Sequence, residues 1–221
     1  MKKRTIYQMV IDRSGSMQGM ENQVISGFNE QLQSMQNIQD RYPEQEILMS
    51  LRFFNEQAGV NVLEHKPVKA CNLMGRHEYL TSGGTALLDA VGKSIYDIKM
   101  KFGEAIAHED TTVVMIIITD GYENSSRIYT YEEISRMIGE LEATENWTFT
   151  FMGADLDAIA ASSRMGIGRN HTFSFDKADY RNVSKDILSE AAMDYAEKRQ
   201  RNEKVSEFLN KFGDKDQRKN K

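Results

Sequence analysis

A run of six apolar residues, Val113 to Ile118, most constrains what this chain can fold into. Five of the six residues are β-branched, and an Asp-Gly pair follows one residue later. A run of this length and composition is typical of a strand rather than a helix. Because neither face of the run is polar, we expect the strand to lie in the middle of a parallel sheet that helices cover on both sides.

Strand patterns and helix patterns alternate along the rest of the chain. Further strands are predicted at Ile6–Ile11, Ile47–Phe54, Gly59–Pro67, Trp147–Met152 and His171–Phe175, and helices at Glu21–Arg41, Thr85–Lys101, Tyr131–Glu145, Asp155–Arg164 and Asp179–Arg199. This alternation predicts an α/β fold with a doubly wound, Rossmann-like sheet. The second and third strands are separated by too few residues for a crossover helix, so the third strand is predicted to be an antiparallel edge.

Composition and length favour one domain that contains most of the 221 residues, 40% of which are hydrophobic. The single cysteine, Cys71, excludes an intramolecular disulfide and fits a reducing compartment. No stretch approaches the roughly 18 apolar residues of a membrane span, and the apolar run near the first residues is too short for a signal peptide. We therefore expect a cytoplasmic protein that does not insert into membranes.

The charge is unevenly distributed between this domain, assigned to residues 1–199, and a charged segment over 200–221. Residues 198–221 carry nine basic and four acidic side chains, a net charge of +5, which leaves −10 on the remainder. An acidic body argues against nucleic acid as a ligand.

The charged segment also contains an apolar pattern. Val205, Phe208, Leu209 and Phe212 recur at helical spacing, which predicts an amphipathic helix over 203–213. Two interpretations stay open: the helix packs on its own domain, or it docks on another subunit or a second copy of the chain.

Side chains whose oxygens could bind a metal occur in three loop segments at predicted element ends. Ligands of doubly wound sheets bind beyond the carboxyl ends of the strands. Two carboxylates and three hydroxyls are predicted to meet there: Asp12, Ser14, Ser16, Thr85 and Asp120. Any one of the three segments alone could be an ordinary turn or helix cap. Together they form a hard-oxygen set without histidine or thiol, which suits Mg²⁺, Mn²⁺ or Ca²⁺ rather than structural zinc.

The order of these residues resembles a known family. Asp12-x-Ser14-x-Ser16, then Thr85 within Gly-Gly-Thr-Ala-Leu and Asp120 within Thr-Asp-Gly, is similar to the complete metal ion-dependent adhesion site of von Willebrand factor type A domains. The resemblance, to a bacterial or phage-type single-domain member, covers about residues 4–190. It implies a six-stranded sheet in the order 3-2-1-4-5-6 with strand 3 antiparallel. It also implies that the two serines ligate the metal directly, that the threonine does so in the ligand-bound state, and that both aspartates act mainly through bound water.

The resemblance further implies a protein-binding function. A cation held mainly by neutral hydroxyls keeps much of its charge and attracts an anionic ligand, such as an Asp or Glu carboxylate of a partner protein. Residues of the surrounding loops are predicted to form the rim that contacts this partner: Arg13, Gln18, Tyr122, Glu123, Asn124 and Asp157.

Two other functions are weighed against binding. A phosphoryl-transfer enzyme or other metal-dependent hydrolase would need further catalytic groups, but Ser14 stands two residues after Asp12 and no lysine is predicted near a strand end. Walker, His-Glu-x-x-His and Gly-x-Ser-x-Gly motifs do not occur, so we predict that the protein is not an enzyme. The remaining alternative is a subunit that acts in trans with an AAA+ ATPase or chelatase-like machine, because some bacterial domains of this type resemble such partners.

Overall fold

The computed structural model describes residues 3–59, 61–108, 111–154, 156–175, 177, 180, 184–203, 205 and 208–209, apart from the side chains of 156–159 and 184–185. The strands are β1 (Lys3–Asp12), β2 (Gln45–Phe54), β3 (Asn61–Pro67), β4 (Thr111–Thr119), β5 (Trp147–Gly153) and β6 (Thr172–Ser174). The α-helices are α1 (Glu21–Arg41), α2 (Leu87–Ala107), α3 (Tyr131–Glu142), α4 (Leu156–Arg164) and α5 (Ser189–Gln200). The predicted alternation of strands and helices is therefore confirmed.

The strands form one six-stranded sheet in the order β3-β2-β1-β4-β5-β6. All neighbouring pairs are parallel except β2 and β3, which are antiparallel. The predicted order and the predicted antiparallel edge are both confirmed. The strand order reverses between β1 and β4, so the crevice beyond their carboxyl ends is the expected ligand position of this topology.

Successive side chains of each central strand face two different helical layers. On one face, Tyr7, Met9 and Ile11 of β1 belong to the same core as residues of α1 and α5. On the other face, Ile6 and Val10 share a core with α2, α3 and α4. All nine residues of β4 are buried, which explains why its sequence is a continuous apolar run rather than an alternating one.

The helices bury the apolar stripes that their sequences predict. Val24, Phe28, Leu32 and Met35 of α1 are buried, and α1 has the predicted bounds. Of the helix predicted over Asp179–Arg199, the described residues are helical: Tyr180, a π-helical turn over Ser184–Leu188, and α5. No helix within the described part of the chain is long and apolar enough to cross a membrane.

Helix α2 begins at Leu87, two residues later than predicted. The backbone N–H of Thr85 donates to the side-chain oxygen of Asn124 at 2.8 Å, and that of Ala86 donates to the carbonyl oxygen of Asn55 at 2.6 Å. Neither N–H group would have an intrahelical partner at a helix start, and the two loops satisfy both. Ala86, the N-cap, has φ −95° and ψ 60°, which lie outside the helical region.

The helix predicted over 203–213 is wrong for the described residues of that segment. After α5, Asn202 adopts a φ of 57°, the left-handed region of the backbone. Its N–H donates to Arg199 O at 3.3 Å, and the N–H of Glu203 donates to Lys198 O at 2.9 Å. These bonds form a Schellman cap, in which asparagine takes the place that glycine occupies most often. The cap ends the helix.

Beyond this cap, the chain packs on its own domain. Val205, Phe208 and Leu209 are buried and are not helical. The Phe208 ring lies edge-on to Tyr7 at 6.2 Å and to Tyr195 at 5.8 Å between centroids. The structure therefore agrees with the self-packing interpretation for these three residues, and the rest of the segment lies outside the described residues.

Candidate metal centre

The loops that carry the predicted metal ligands are tied together by backbone hydrogen bonds. The N–H of Ser82 donates to Arg13 O at 2.8 Å, and the N–H of Gly15 donates to Gly83 O at 2.9 Å. Loop 82–86, which precedes α2, is thereby held beside the loop that follows β1. Because the loop after β1 leaves the sheet at the carboxyl end of that strand, these bonds bring loop 82–86 to the same edge of the sheet.

Gly83 is required by the shape of this contact. Its φ is +75°, and a Cβ built there would lie 1.4 Å from a carboxylate oxygen of Glu56. Any other residue would have to adopt a strained backbone and also displace the glutamate. The first glycine of the Gly-Gly pair before Thr85 therefore has a conformational reason in addition to the resemblance.

Asp12 is the last residue of β1 and is fully buried, rather than part of an exposed loop. One carboxylate oxygen, Oδ1, accepts from the N–H of Ser14 at 2.7 Å, and the other, Oδ2, accepts from the Thr119 hydroxyl at 2.6 Å. Burial raises the pKa of Asp12 to about 6, although the hydrogen bonds from Thr119 and Ser14 lower it. The strand end thus presents an oriented carboxylate.

The two serine hydroxyls connect the β1 loop to the end of β4. Ser14 Oγ and Ser16 Oγ are 3.0 Å apart, and Ser16 Oγ donates to Asp120 Oδ1 at 2.7 Å. Ser14, Ser16 and Asp120, three of the five predicted ligands, therefore form a chain of contacts, although Asp120 lies 104 positions after Ser16 in the sequence.

Gly121 marks the centre of the group. The position that a Cβ of Gly121 would take is 3.1 Å from Ser16 Oγ, 3.5 Å from Thr85 Oγ1 and 4.0 Å from Asp12 Oδ2. Side-chain oxygens from three segments thus lie within 4.0 Å of one point, which the absence of a side chain at Gly121 leaves open. The structure brings all five predicted ligands together.

The chemistry of this oxygen set fits a hard divalent cation. Within the described residues there is no cluster of three or more histidine, cysteine, aspartate or glutamate side chains that could hold a metal. The candidate centre has only two carboxylates, Asp12 and Asp120, and its other oxygens belong to hydroxyls. A set of this kind suits Mg²⁺, Mn²⁺ or Ca²⁺ and lacks the soft ligands of zinc sites.

Glu123, predicted at the rim, holds the loop that follows β4. Its carboxylate accepts from the N–H groups of Leu88 at 2.9 Å, Ser125 at 2.9 Å and Ser126 at 2.7 Å. It thereby caps the N-terminus of α2, where a negative charge is favourable. This carboxylate therefore helps to position the loop beside the site.

Asp89 supports the same loop from α2, and the sequence analysis missed it. Its carboxylate accepts from three consecutive backbone N–H groups, those of Arg127, Ile128 and Tyr129, each at 2.9 Å. No pattern around Asp89 distinguishes it from any acidic residue in the first turn of a helix.

The other predicted rim residues differ in exposure. Tyr122 is 61% exposed, Gln18 is exposed, and Arg13 is half-buried. Asn124 lies beside Thr85, as described above. The side chain of Asp157 lies outside the described residues.

Lys177 also reaches the centre, and the prediction that no lysine lies near a strand end is wrong. The Lys177 ammonium, three residues beyond β6, donates to Asp120 Oδ2 and to the carbonyl oxygen of Ser16, the latter at 3.1 Å. The prediction failed because the path of the chain after an edge strand cannot be read from local patterns.

The sheet order, the antiparallel edge strand and the helices on both faces together define the von Willebrand factor type A fold. Comparison with family models and with curated proteins gave no match. Solved structures do match, among them the vWF domain of the type V pili tip protein Mfa5 from Porphyromonas gingivalis, with 11% identity, 84% of this chain and 95% of that chain covered, and a TM-score of 0.56.

Two further structures are similar over most of the chain. The SpRpn10 VWA domain shares 10% identity, with 83% of this chain and 94% of that chain covered and a TM-score of 0.54. The pilus adhesin SpaC from Lactobacillus rhamnosus GG shares 16% identity, with 83% of this chain covered and a TM-score of 0.58. The chain spans only 30% of SpaC. It spans 46% of another similar structure, proximal thread matrix protein 1 from the mussel byssus. At these identities the comparisons establish the fold.

Proposed function

We propose that the chain is a von Willebrand factor type A domain that binds a partner protein through a divalent cation. Ser14, Ser16 and Thr85 would hold the ion directly, and Asp12 and Asp120 would act through bound water. The observation that carries the proposal is the convergence of their oxygens around the bare backbone of Gly121, described above. Mg²⁺ is the first candidate ion, and Mn²⁺ and Ca²⁺ satisfy the same chemistry.

The hydrogen bonds of the two aspartates support this division of roles. Asp12 uses its two oxygens to orient Ser14 and Thr119, and Asp120 accepts from Ser16. The direct ligands are then neutral hydroxyls, which leave most of the charge on the cation. A cation in this environment attracts an anionic sixth ligand, and a partner's Asp or Glu carboxylate would supply it.

The structural neighbours are consistent with a role in attachment, since they include a pilus adhesin and a pilus tip protein. A non-catalytic role and a location in the cytoplasm are part of the same proposal.

Calorimetric titration with Mg²⁺ tests the metal site. We expect the unaltered protein to bind one ion, and Asp12→Asn and Thr85→Val to weaken binding at least about tenfold. Thr85→Val removes a proposed direct ligand, and Asp12→Asn removes the negative charge of the carboxylate proposed to act through bound water; both nearly keep the side-chain volume. Thr150→Val is the matched control, since Thr150 is a buried threonine inside β5 and is not a proposed ligand. Unchanged affinity in both site variants would refute the assignment.

Affinity capture from native cells, with and without EDTA, tests the partner. We expect EDTA and Thr85→Val to release the same protein, and replacement of one acidic residue of that protein to have the same effect. A partner retained at full strength in EDTA would contradict the metal-bridged mechanism. If the protein released by EDTA is an ATPase, the result would support the alternative that this chain is a subunit acting in trans with an AAA+ ATPase or chelatase-like machine.

A further inference from the structure

The Lys177 side chain spans the edge of the candidate metal centre. Its ammonium donates to Asp120 Oδ2 and to Ser16 O, while the other oxygen of the same carboxylate, Oδ1, accepts from Ser16 Oγ. The Asp120 side chain is completely buried, and the Lys177 side chain is 46% exposed. One positive charge of the protein itself is therefore in contact with a carboxylate of the proposed metal site.

An ammonium group and a divalent cation compete for oxygen ligands of this kind. Both bind carboxylate, hydroxyl and carbonyl oxygens, and two positive charges a few ångströms apart repel strongly beside a buried carboxylate, where water screens them poorly. Ser16 contributes to both arrangements, because its hydroxyl is a proposed metal ligand and its carbonyl accepts from Lys177. The two cations cannot both be held tightly.

We propose that Lys177 is a built-in competitor of the divalent ion, so that metal binding requires its ammonium to leave Asp120. This inference rests on the proposed function of the site and adds a control on its occupancy. The lysine neutralises Asp120 when the ion is scarce, and the ion replaces it at higher concentration.

Described residues on either side of Lys177 are anchored, so the exchange needs only the lysine side chain to move. On one side, the N–H of Phe175 donates to the carbonyl oxygen of Gly153 at 2.9 Å. On the other, Tyr180 is fully buried, and its ring lies 4.9 Å from the Phe175 ring. These contacts anchor the backbone on both sides, while the half-exposed lysine stem has several rotatable bonds. A change of rotamer is enough to remove the ammonium.

Substitution of Lys177 by methionine tests the competition, because it keeps the length of the side chain and removes the charge. The matched control is Lys69→Met. Lys69 also pairs with an aspartate, Asp40, and has nearly the same exposure at 47%, but it lies on the surface near α1. Titration of both variants and of the unaltered protein with Mg²⁺ should show about tenfold tighter binding for Lys177→Met and no change for Lys69→Met.

Melting in EDTA provides a readout that does not involve the ion. Lys177→Met should melt at a lower temperature than the unaltered protein, because Asp120 then lacks its cationic partner, and added Mg²⁺ should raise its melting temperature more than that of the unaltered protein. Lys69→Met should show neither effect, since exposed pairs contribute little.

The outcomes separate this inference from the proposed function. Equal or weaker Mg²⁺ binding by Lys177→Met, with binding intact in the unaltered protein, would overturn the competition and leave the metal site in place. No Mg²⁺ binding by either protein would refute both. Binding by Lys177→Met alone would support both, with the lysine excluding the ion under the conditions used.

Discussion

Asn124 and Thr85 hold each other through two hydrogen bonds. The side-chain oxygen of Asn124 accepts from the backbone N–H of Thr85 at 2.8 Å, and the backbone N–H of Asn124 donates to the carbonyl oxygen of Thr85 at 3.0 Å. Because the first residue follows β4 and the second precedes α2, this pair fixes the threonine hydroxyl relative to the carboxylate of Asp120. Asn124 thus positions a proposed ligand that it does not itself provide.

We expect Asn124→Ala to lower the affinity for Mg²⁺ about tenfold and the free energy of unfolding by about 1 kcal/mol, since it removes an acceptor of the Thr85 N–H. Asn29→Ala is the control, because the Asn29 side-chain oxygen accepts from the Met74 N–H at 2.7 Å, as that of Asn124 does from Thr85, although the Asn29 side-chain amide also donates to Met74 O at 3.1 Å. Urea denaturation should show at least as large a loss of stability in Asn29→Ala, and calorimetry a loss of affinity only in Asn124→Ala. Equal affinities would show that the pair is only structural.

Gly121→Ala should weaken Mg²⁺ binding about tenfold with less than about 1 kcal/mol of change in stability. The added methyl group would lie 3.1 Å from Ser16 Oγ, in the space that the ligands surround. Gly139→Ala serves as the control: no atom lies within 4 Å of its Cβ position, and in α3 it should stabilise the protein by about 0.5–1 kcal/mol. Calorimetry that shows normal affinity in Gly121→Ala would contradict the placement of the ion.

His65 should make the protein less stable in acid. Its ring is buried against Phe102, and within the described residues neither ring nitrogen has a hydrogen-bond partner. Burial, with a smaller effect of the Lys101 ammonium, lowers the pKa of His65 from 6.5 to about 4. Between these two values the unfolded chain binds the proton and the folded chain does not, so this contribution to stability is complete above pH 6.5 and is lost as the pH falls towards 4.

The test compares His65→Phe with the unaltered protein by urea denaturation between pH 7.5 and 4.5. The difference in unfolding free energy between them should change by at most about 1.4 kcal/mol per pH unit, in favour of the variant in acid. His77→Phe replaces an exposed histidine, and its stability should depend on pH in the same way as that of the unaltered protein. Parallel profiles for all three proteins would mean that His65 does not titrate as the structure indicates.

The sequence predicts those features of the fold that neighbouring residues determine, and it does not predict contacts between residues far apart in the chain. The strand at Val113–Ile118 and the helix at Glu21–Arg41 were predicted from side-chain periodicity, because burial imposes that periodicity directly. The meeting of Asp12, Ser14, Ser16, Thr85 and Asp120 was predicted from their positions at strand ends, and the structure brings these residues together.

The supporting contacts could not be predicted in this way. Lys177 and Asn124 act on partners 57 and 39 positions away in the sequence, and only the paths of two loops bring them close. The helix predicted around Phe208 failed for another reason. The apolar spacing of this segment predicts a helix, but Asn202, just before it, is a residue type that favours the left-handed cap that ends α5.

Phe208→Ala should lower the free energy of unfolding by about 3 kcal/mol, the usual cost of removing a buried phenylalanine ring. The ring is 3% exposed and packs edge-on against Tyr7 and Tyr195. Tyr96→Ala, on the exposed face of α2, should change stability by less than about 0.5 kcal/mol. Size-exclusion chromatography should show the same oligomeric state for all three proteins, and a lost oligomer with unchanged stability would favour the docking interpretation instead.

The hydrogen bond between Thr119 and Asp12 joins residues 107 positions apart, and this separation has a kinetic consequence. No short segment of the chain contains the centre, which exists only once β1 and β4 are paired across the long connection between them. Pairing of this kind carries a high cost of loop closure and is slow. A divalent ion therefore has no site to occupy until the folding barrier has largely been crossed, and it should slow the unfolding of the native chain while leaving its refolding rate almost unchanged.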